Sequence, residues 1–299
     1  MKALTRTLAA VAAAVTVGAL TPAVAGAASE QGSRLVVFGD SQAAGTNLMM
    51  TPDERGCWQS ETSWPKQLAD RLGVRNTPDF VDATCSGGAI DTGGGWLLCD
   101  QVRWADSKNA FGPGTETVLL QFGMNDSWGN GVQGYFDSID SCILNLIDGC
   151  EREAAQQNRA QDAAATTPEA FAQRIAPVVD YIKHYAPNAR IALVGLPEMT
   201  PQRGDEICGT IFGAPVVQPR GGALVDFFAA LDDAARGAAD RLDLDFVDVR
   251  GAFDGHGPCT AQPWVNGIFE LDNAFGGPLH PNRVGDVVIS DYVARTLSL

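Results

Sequence analysis

The chain has only three histidines in 299 residues, and no two of them stand close together. It has no Cys-x-x-Cys pair either, so the usual spacings of a zinc site are missing and no metal is expected. Positive charge is scarce, with 21 Lys and Arg against 36 Asp and Glu and a net charge of −15. That balance argues against nucleic acid and anionic bilayers as partners, because phosphate binding rests on clustered cations. No Gly-x-x-x-x-Gly-Lys-Ser/Thr motif is present, and no Gly-x-Gly-x-x-Gly opens a helix after the first strand-like run. The glycine run "DTGGGW" at Asp91 to Trp96 therefore reads as a loop and not as a phosphate cradle, and no cofactor is expected. Internal repeats and low-complexity linkers are missing too.

Long apolar runs are also lacking, except at the start. Lys2 and Arg6 precede an apolar stretch from Leu8 to Leu20, followed by small residues around Ala23-Val24-Ala25 and Ala25-Gly26-Ala27. This is the pattern of a secretory signal peptide, residues 1–27, cleaved near residues 25–28. The run is short for a membrane span, and no later segment offers the roughly 18 apolar residues that one needs. Removing Lys2 and Arg6 leaves 19 basic residues against 36 acidic ones, a mature charge of −17. The expectation is an exported protein without stable membrane insertion, with residues 28–299 forming a single domain.

What is present is a regular alternation of strand-like and helix-like segments, the mark of a parallel sheet with helices on both faces. Strands are expected at Arg34 to Asp40, Phe80 to Thr84, Thr117 to Gly123, Arg190 to Gly195 and Phe246 to Val249. Each is a short apolar run bounded by turn residues. Thr167-Pro168-Glu169 opens a helix that buries Phe171, Ile175, Val178, Val179 and Ile182. Leu224, Phe227, Phe228 and Leu231 mark a second helix face, and Val284, Val287, Val288 and Tyr292 a third. Between Asn130 and Thr166 lies an insertion without a strand, in which Ile139, Ile143, Leu146 and Ile147 predict one short amphipathic helix. Glu198 to Gly222, rich in Gly and Pro, reads as a second irregular stretch, and such long loops either shape a binding site or elaborate the surface.

The first strand runs into "LVVFGDSQAAG", which places Ser41 at a small-residue turn. Ser41 either caps the following helix or serves as a nucleophile at the carboxyl end of a central strand, where open α/β sheets place their chemistry. Three other strand ends weigh on the choice. Phe80 to Thr84 leads into "CSGGAIDT" with Gly87, Thr117 to Gly123 leads into "GMNDS" with Asn125, and "GGPLHPN" sets His280 just before the last helix. Together these supply a hydroxyl, an unobstructed backbone amide, a carboxamide donor and an imidazole. A serine needs an adjacent base, which histidine provides because its ordinary pKa lies near 6.5. Acyl transfer also needs preorganised donors for the oxyanion, here the amides of Ser41 and Gly87 and the Asn125 side chain.

In order and context, "FGDSQAAG", "TCSGG", "GMND" and "LHPN" resemble the four blocks of the SGNH, or GDSL, hydrolases, spread over residues 38 to 282. The resemblance implies a flavodoxin-like three-layer α/β/α fold with a central parallel five-stranded sheet. It also implies Ser41 as nucleophile, His280 as base, and Gly87 and Asn125 in the oxyanion hole. The family pattern has an Asp three residues before the His, where this chain has Gly277. More narrowly the sequence resembles the secreted actinobacterial-type esterase and lipase branch, through "RGCW", "TCSGG" and "GHGPCTAQPWVNG". In that branch a main-chain carbonyl can replace the Asp, which implies a Ser-His dyad with the Gly277 carbonyl accepting from the His280 ring. Replacing Gly277 is then expected to matter little unless the backbone moves; failing that arrangement, Asp272 or Asp254 is the nearest carboxylate. The same resemblance pairs Cys57 with Cys85, Cys142 with Cys150 and Cys208 with Cys259, leaving Cys99 free. The chain-entropy model gives these closures about 3.6, 2.6 and 4.1 kcal/mol.

The remaining candidates have structural readings. His184 stands near a helix C-terminus, where a positive imidazole is favoured, and His256 sits in a Gly-rich loop. Asp40 and Asp126 are hydrogen-bond acceptors beside the site, and Ser86 and Ser127 bond locally. Trp128 and Trp264 either line an acyl groove or fill the core. The expected function is that of a secreted, monomeric serine esterase or lipase acting on small-molecule or lipid esters. A carbohydrate acetyl esterase and a catalytically silent binding protein of the same fold are the alternatives.

Overall fold

The computed structural model describes residues 31–46, 50–93, 95–129, 134–201, 204–268 and 277–299. The signal segment and Asp272 lie outside them. In chain order the strands are β1 (Leu35–Gly39), β2 (Met50–Pro52), β3 (Trp58–Ser60), β4 (Phe80–Asp82), β5 (Thr117–Gln121), β6 (Arg190–Val194), β7 (Ile207–Ile211), β8 (Ala214–Gln218) and β9 (Asp245–Val247). The helices are α1 (Ser41–Ala44), α2 (Trp64–Arg71), α3 (Leu98–Ser107), α4 (Tyr135–Ser138), α5 (Pro168–Tyr185), α6 (Gly222–Leu242), α7 (Val249–Ala252) and α8 (Arg283–Leu297).

All five expected strands pair in one parallel sheet of order β4-β1-β5-β6-β9. In chain order this is 2-1-3-4-5, the flavodoxin-like arrangement, and its direction reverses between β1 and β5. Every residue of β1 and β5 is buried, as central strands covered on both faces require. Helices α2 and α8 pack on each other on one face, while α3, α5 and α6 cover the other. Gly39 at the end of β1 is in register with Gln121 at the end of β5. The chain therefore leaves both central strands side by side at the reversal, where doubly wound sheets open a crevice.

Helix α5 follows its sequence signals closely. The Thr167 hydroxyl accepts from the amide of Ala170, Pro168 opens the helix, and Phe171, Ile175, Val179 and Ile182 are buried. Helix α8 does not. Its buried face is Gly285, Asp286, Ile289, Ser290, Val293, Ala294 and Leu297, whereas Val284 is 53% and Val287 43% exposed. The Asn282 side chain caps the amides of Val284 and Gly285 and sets the helix phase. A close approach then selects small and polar residues for the inner face: a Cβ on Gly285 would lie 2.3 Å from the Trp264 carbonyl. Of the expected stripe, Val284 and Val287 face solvent, while Val288 and Tyr292 are partly buried against the core.

The insertion also differs from expectation. Helix α4 runs into a π-turn over Ile139–Ile143 and stops, leaving Leu146 and Ile147 exposed in the loop closed by the Cys142–Cys150 disulfide. Within Glu198 to Gly222 the chain forms the β7–β8 hairpin instead of an irregular loop. A smaller β2–β3 hairpin follows the nucleophile segment. No described helix is long and apolar enough to cross a membrane.

Candidate active site

Ser41 begins α1 immediately after β1 and is 1% exposed. The turn is held by Asp40, whose carboxylate accepts the amide of Gln42 at 2.8 Å and whose own amide donates to the Gln121 carbonyl on β5. The cap of this short helix is thus Asp40, and the Ser41 hydroxyl is left for another partner. That partner is His280, with Oγ 2.7 Å from Nε2. The two residues lie 239 apart in the chain and meet at the carboxyl end of β1.

His280 is fully buried, and its Nδ1 lies 3.0 Å from the Pro278 carbonyl. A carbonyl can only accept, so Nδ1 carries the proton and Nε2 accepts from Ser41. The acceptor at Nδ1 is one residue beyond Gly277. The Gly277 carbonyl accepts the His280 main-chain amide at 3.3 Å and adds a lesser pull on the ring. Asp254 is exposed and has no bond to His280. Burial holds the imidazole down to about 4, against the Pro278 and Gly277 carbonyls, which favour the protonated ring. Position 277 is nonetheless constrained: a Cβ there would stand 2.4 Å from Nδ1 and 2.5 Å from Cε1 of His280. On this backbone the Asp of the family pattern has no room.

The loop after β4 turns at Gly87 with φ +79, a left-handed conformation that favours glycine, and its Cβ position faces open space. The Cys57–Cys85 disulfide, with Cα atoms 4.9 Å apart, ties this loop to β3. Asn125 follows β5, and its Nδ2 donates to the Gly88 carbonyl at 2.9 Å, which leaves one amide hydrogen for another acceptor. Asn125 is thereby tied, through Gly88, to the loop that carries Gly87, at the carboxyl ends of the strands flanking β1.

Two residues that support this arrangement escape sequence reading in part. Gln101 on α3 is fully buried and grips the peptide of Gly39 at both ends, accepting from its amide and donating to its carbonyl at 3.0 Å each. Nothing in its local pattern marks it, apart from a polar residue on an apolar helix face. Asp126 is the acceptor it was read to be, taking the amides of Ile90 and Asp91 and the Thr92 hydroxyl, so that it pins the loop beside Asn125. Burial pushes its carboxyl up, with the Ile90 and Asp91 amides opposing. Burial likewise raises Asp40 to about 8, opposed by the amide of Gln42.

Other candidates lie apart from the dyad. His184 is exposed near the end of α5, and His256 stacks flat on Trp264 with its Nδ1 on the Gln262 carbonyl. Trp128 packs on Phe171 in the core and donates to the Gly123 carbonyl. Ser86 donates its amide to Trp58, and Ser127 donates its amide to the Thr92 hydroxyl. The "DTGGGW" loop lies against the site, since a Cβ on Gly95 would meet the Gly87 carbonyl. It leads into a cleft of about 530 Å³ lined by Gly95, Trp96, Asp100, Arg103 and Trp104. The three disulfides are Cys57–Cys85, Cys142–Cys150 and Cys208–Cys259, the pairing the resemblance implies, and Cys99 is a free thiol.

A flavodoxin-like sheet with a buried serine-histidine pair at its reversal point defines a class, the three-layer α/β/α hydrolases of carboxylic esters. The chain belongs to the GDSL-like Lipase/Acylhydrolase family, whose model matches residues 37–287. Among its relatives, Lipase 2 of Streptomyces coelicolor is 29% identical over 294 residues, covering 94% of this chain and 92% of that protein. A lipase of Streptomyces rimosus is 27% identical, covering 89% of this chain and 90% of its own length. The crystal structures of an extracellular lipase from Streptomyces rimosus and of phospholipase A1 from Streptomyces albidoflavus NA297 each superpose with a TM-score of 0.60. Both are 19% identical and cover 89% of this chain, with 100% and 99% of their own lengths. At that identity they speak for the fold.

Proposed function

We propose that this carboxylic ester hydrolase is a secreted serine esterase or lipase working through an acyl-enzyme on Ser41, with His280 as general base. The observation that carries the reading is the 2.7 Å contact between Ser41 Oγ and a His280 Nε2 whose ring is oriented by a carbonyl at Nδ1. Oγ attacks the ester carbonyl carbon as its proton passes to Nε2. The oxyanion takes hydrogen bonds from the amides of Ser41 and Gly87 and from Asn125 Nδ2, and losing one such donor typically costs about 10²–10³ in rate. The imidazolium then gives its proton to the departing alkoxide, leaving the acyl group on Oγ. Water enters, loses a proton to His280 and attacks the acyl carbon, and the acid departs as Ser41 regains its proton. Pro278 and Gly277 offer dipoles and no full charge, so they stabilise the imidazolium less than a carboxylate would. All the groups in this cycle come from one chain, which fits a monomer, and the chemistry calls for no cofactor or metal.

Export to an oxidising compartment is supported by the three disulfides. The test is hydrolysis of p-nitrophenyl esters from acetate to palmitate by the wild type and Ser41→Ala. Ser41-dependent turnover extending beyond acetate is expected. A folded protein without Ser41-dependent turnover on any ester would defeat the serine mechanism and favour a silent binding role.

A further inference from the structure

Five of the ten exposed large apolar side chains among the described residues stand in two adjoining segments. Phe212, 65% exposed, stands at the tip of the β7–β8 hairpin, with Val217 exposed on β8; Leu146 and Ile147 are 63% and 86% exposed in the Cys142–Cys150 loop, beside an exposed Leu144. The two segments are bound together. The Gln218 amide donates to the carbonyls of Cys142, Ile143 and Asn145, and Arg220 donates to those of Leu146 and Ile147 at 2.8 and 2.6 Å. With the loop backbone so engaged, the apolar side chains are held outward on a fixed frame.

Folding does not explain the choice of residues. Phe212 and Gly213 close a two-residue hairpin loop with φ +49 and +77, the signature of a type I′ turn. That turn prefers Asn-Gly, and a bulky side chain at positive φ is an outlier. Phe212 therefore satisfies neither the turn nor the core.

The location and charge of the patch indicate what would cover it. Thr210 on β7 accepts the amide of Ile268 at 2.7 Å, while Asn266 donates to the His280 carbonyl at 2.7 Å. The hairpin is thus two extended segments out from the histidine, a backbone separation of about 10 Å at the usual strand spacing. From Ile207 to Pro219, and from Cys142 to Ile147, no residue carries a charge, and the exposed Asp148 that follows in the loop is an anion that accepts from Asn145. Of the nearby cations, Arg220 is engaged by the loop carbonyls, and Arg152 pairs with Asp205 and Asp226. An uncharged apolar rim on a chain of net charge −15 suits an electrically neutral surface and not an anionic one.

We propose that Phe212, Val217 and the Leu144–Ile147 loop form an interfacial docking rim that seats the enzyme on a neutral lipid aggregate beside His280. This rests on the ester-hydrolase reading and narrows its substrate to lipid presented at a surface. The contact is shallow and apolar, of the kind that interfacial segments make with the headgroup boundary.

The test is co-sedimentation with phosphatidylcholine vesicles, using Ser41→Ala protein so that no lipid is consumed, with and without Phe212→Asn, Leu146→Ser and Ile147→Ser together. Phe212→Asn suits the turn, so it alone also serves as a variant that keeps the fold. The parent should partition to the vesicles and the triple variant at least about tenfold less, since each buried large apolar side chain is worth roughly that factor or more. In the Ser41-intact triple variant, turnover of soluble p-nitrophenyl butyrate should stay within twofold of wild type. No partitioning by the parent, equal partitioning by the variant, or a self-associated dimer that the variant dissociates would each overturn the proposal. Loss of Ser41-dependent turnover on the soluble ester would instead strike the catalytic reading, because vesicle binding does not use the serine.

Discussion

Gly277→Ala adds one methyl group where the geometry leaves no room for it. The new Cβ would stand 2.4 Å from Nδ1, 2.5 Å from Cε1 and 3.1 Å from Cγ of His280. Ordinary carbon contacts begin near 3.5 Å, so the ring and the methyl must separate by about 1 Å. The backbone around the ring resists, because His280 accepts from Asn266 at 2.7 Å and donates to Gly277 at 3.3 Å. The imidazole yields instead, and a shift of that size stretches the 2.7 Å contact with Ser41 beyond hydrogen-bonding range. A misplacement of about 1 Å costs on the order of 10²-fold in rate, or about 2.7 kcal/mol. Overpacking costs about 1–3 kcal/mol of stability, so the variant should still be folded at room temperature. Steady-state kinetics on p-nitrophenyl butyrate, with thermal melting as the folding control, should show kcat down by about two orders of magnitude and KM little changed. A variant within threefold of wild-type kcat would refute the argument that the Gly277 contact sets the position of the base.

The pH dependence of kcat/KM should form a broad plateau. Its acid limb belongs to His280, whose neutral form is active and whose burial sets it at about 4. At pH 5.5 the imidazole would remain about 97% neutral, against about 9% at its ordinary pKa near 6.5, so a half-maximum near 6.5 would contradict the burial argument. Stability carries the same sign: the contribution of neutral His280 is intact above about 6.5 and is lost as pH falls toward 4, which urea midpoints between pH 7 and 4 would follow. Thiol titration of the oxidised, denatured protein should report one free thiol, Cys99, and three or more would contradict the three bridges.

The central sheet is legible in the sequence because each strand has a short apolar core bounded by turn residues, and a parallel sheet buries both faces of its central strands. The site blocks are legible because their residue types are chemically demanding and stand just past strand ends. What escapes is set by tertiary contact. The inner face of α8 mixes Gly285, Asp286 and Ser290 with Ile289, Val293 and Leu297, while Val284 and Val287, which mimic a core stripe, face outward. The β7–β8 hairpin is hidden because its turn carries Phe212 where Asn would announce a type I′ loop. The stronger acceptor for the His280 ring is the Pro278 carbonyl, with the expected Gly277 carbonyl second, and that order follows from loop geometry that no residue pattern encodes. Gln101 is invisible for a similar reason, since its partner Gly39 lies 62 residues away.

The measurement closest to the central claim is labelling with a serine-directed phosphonate fluoride, followed by intact mass and peptide mapping. One adduct per chain, located on Ser41, formed rapidly by the wild type and far more slowly by His280→Ala, is the predicted result. An adduct on another serine, or equal labelling rates with and without His280, would contradict the dyad.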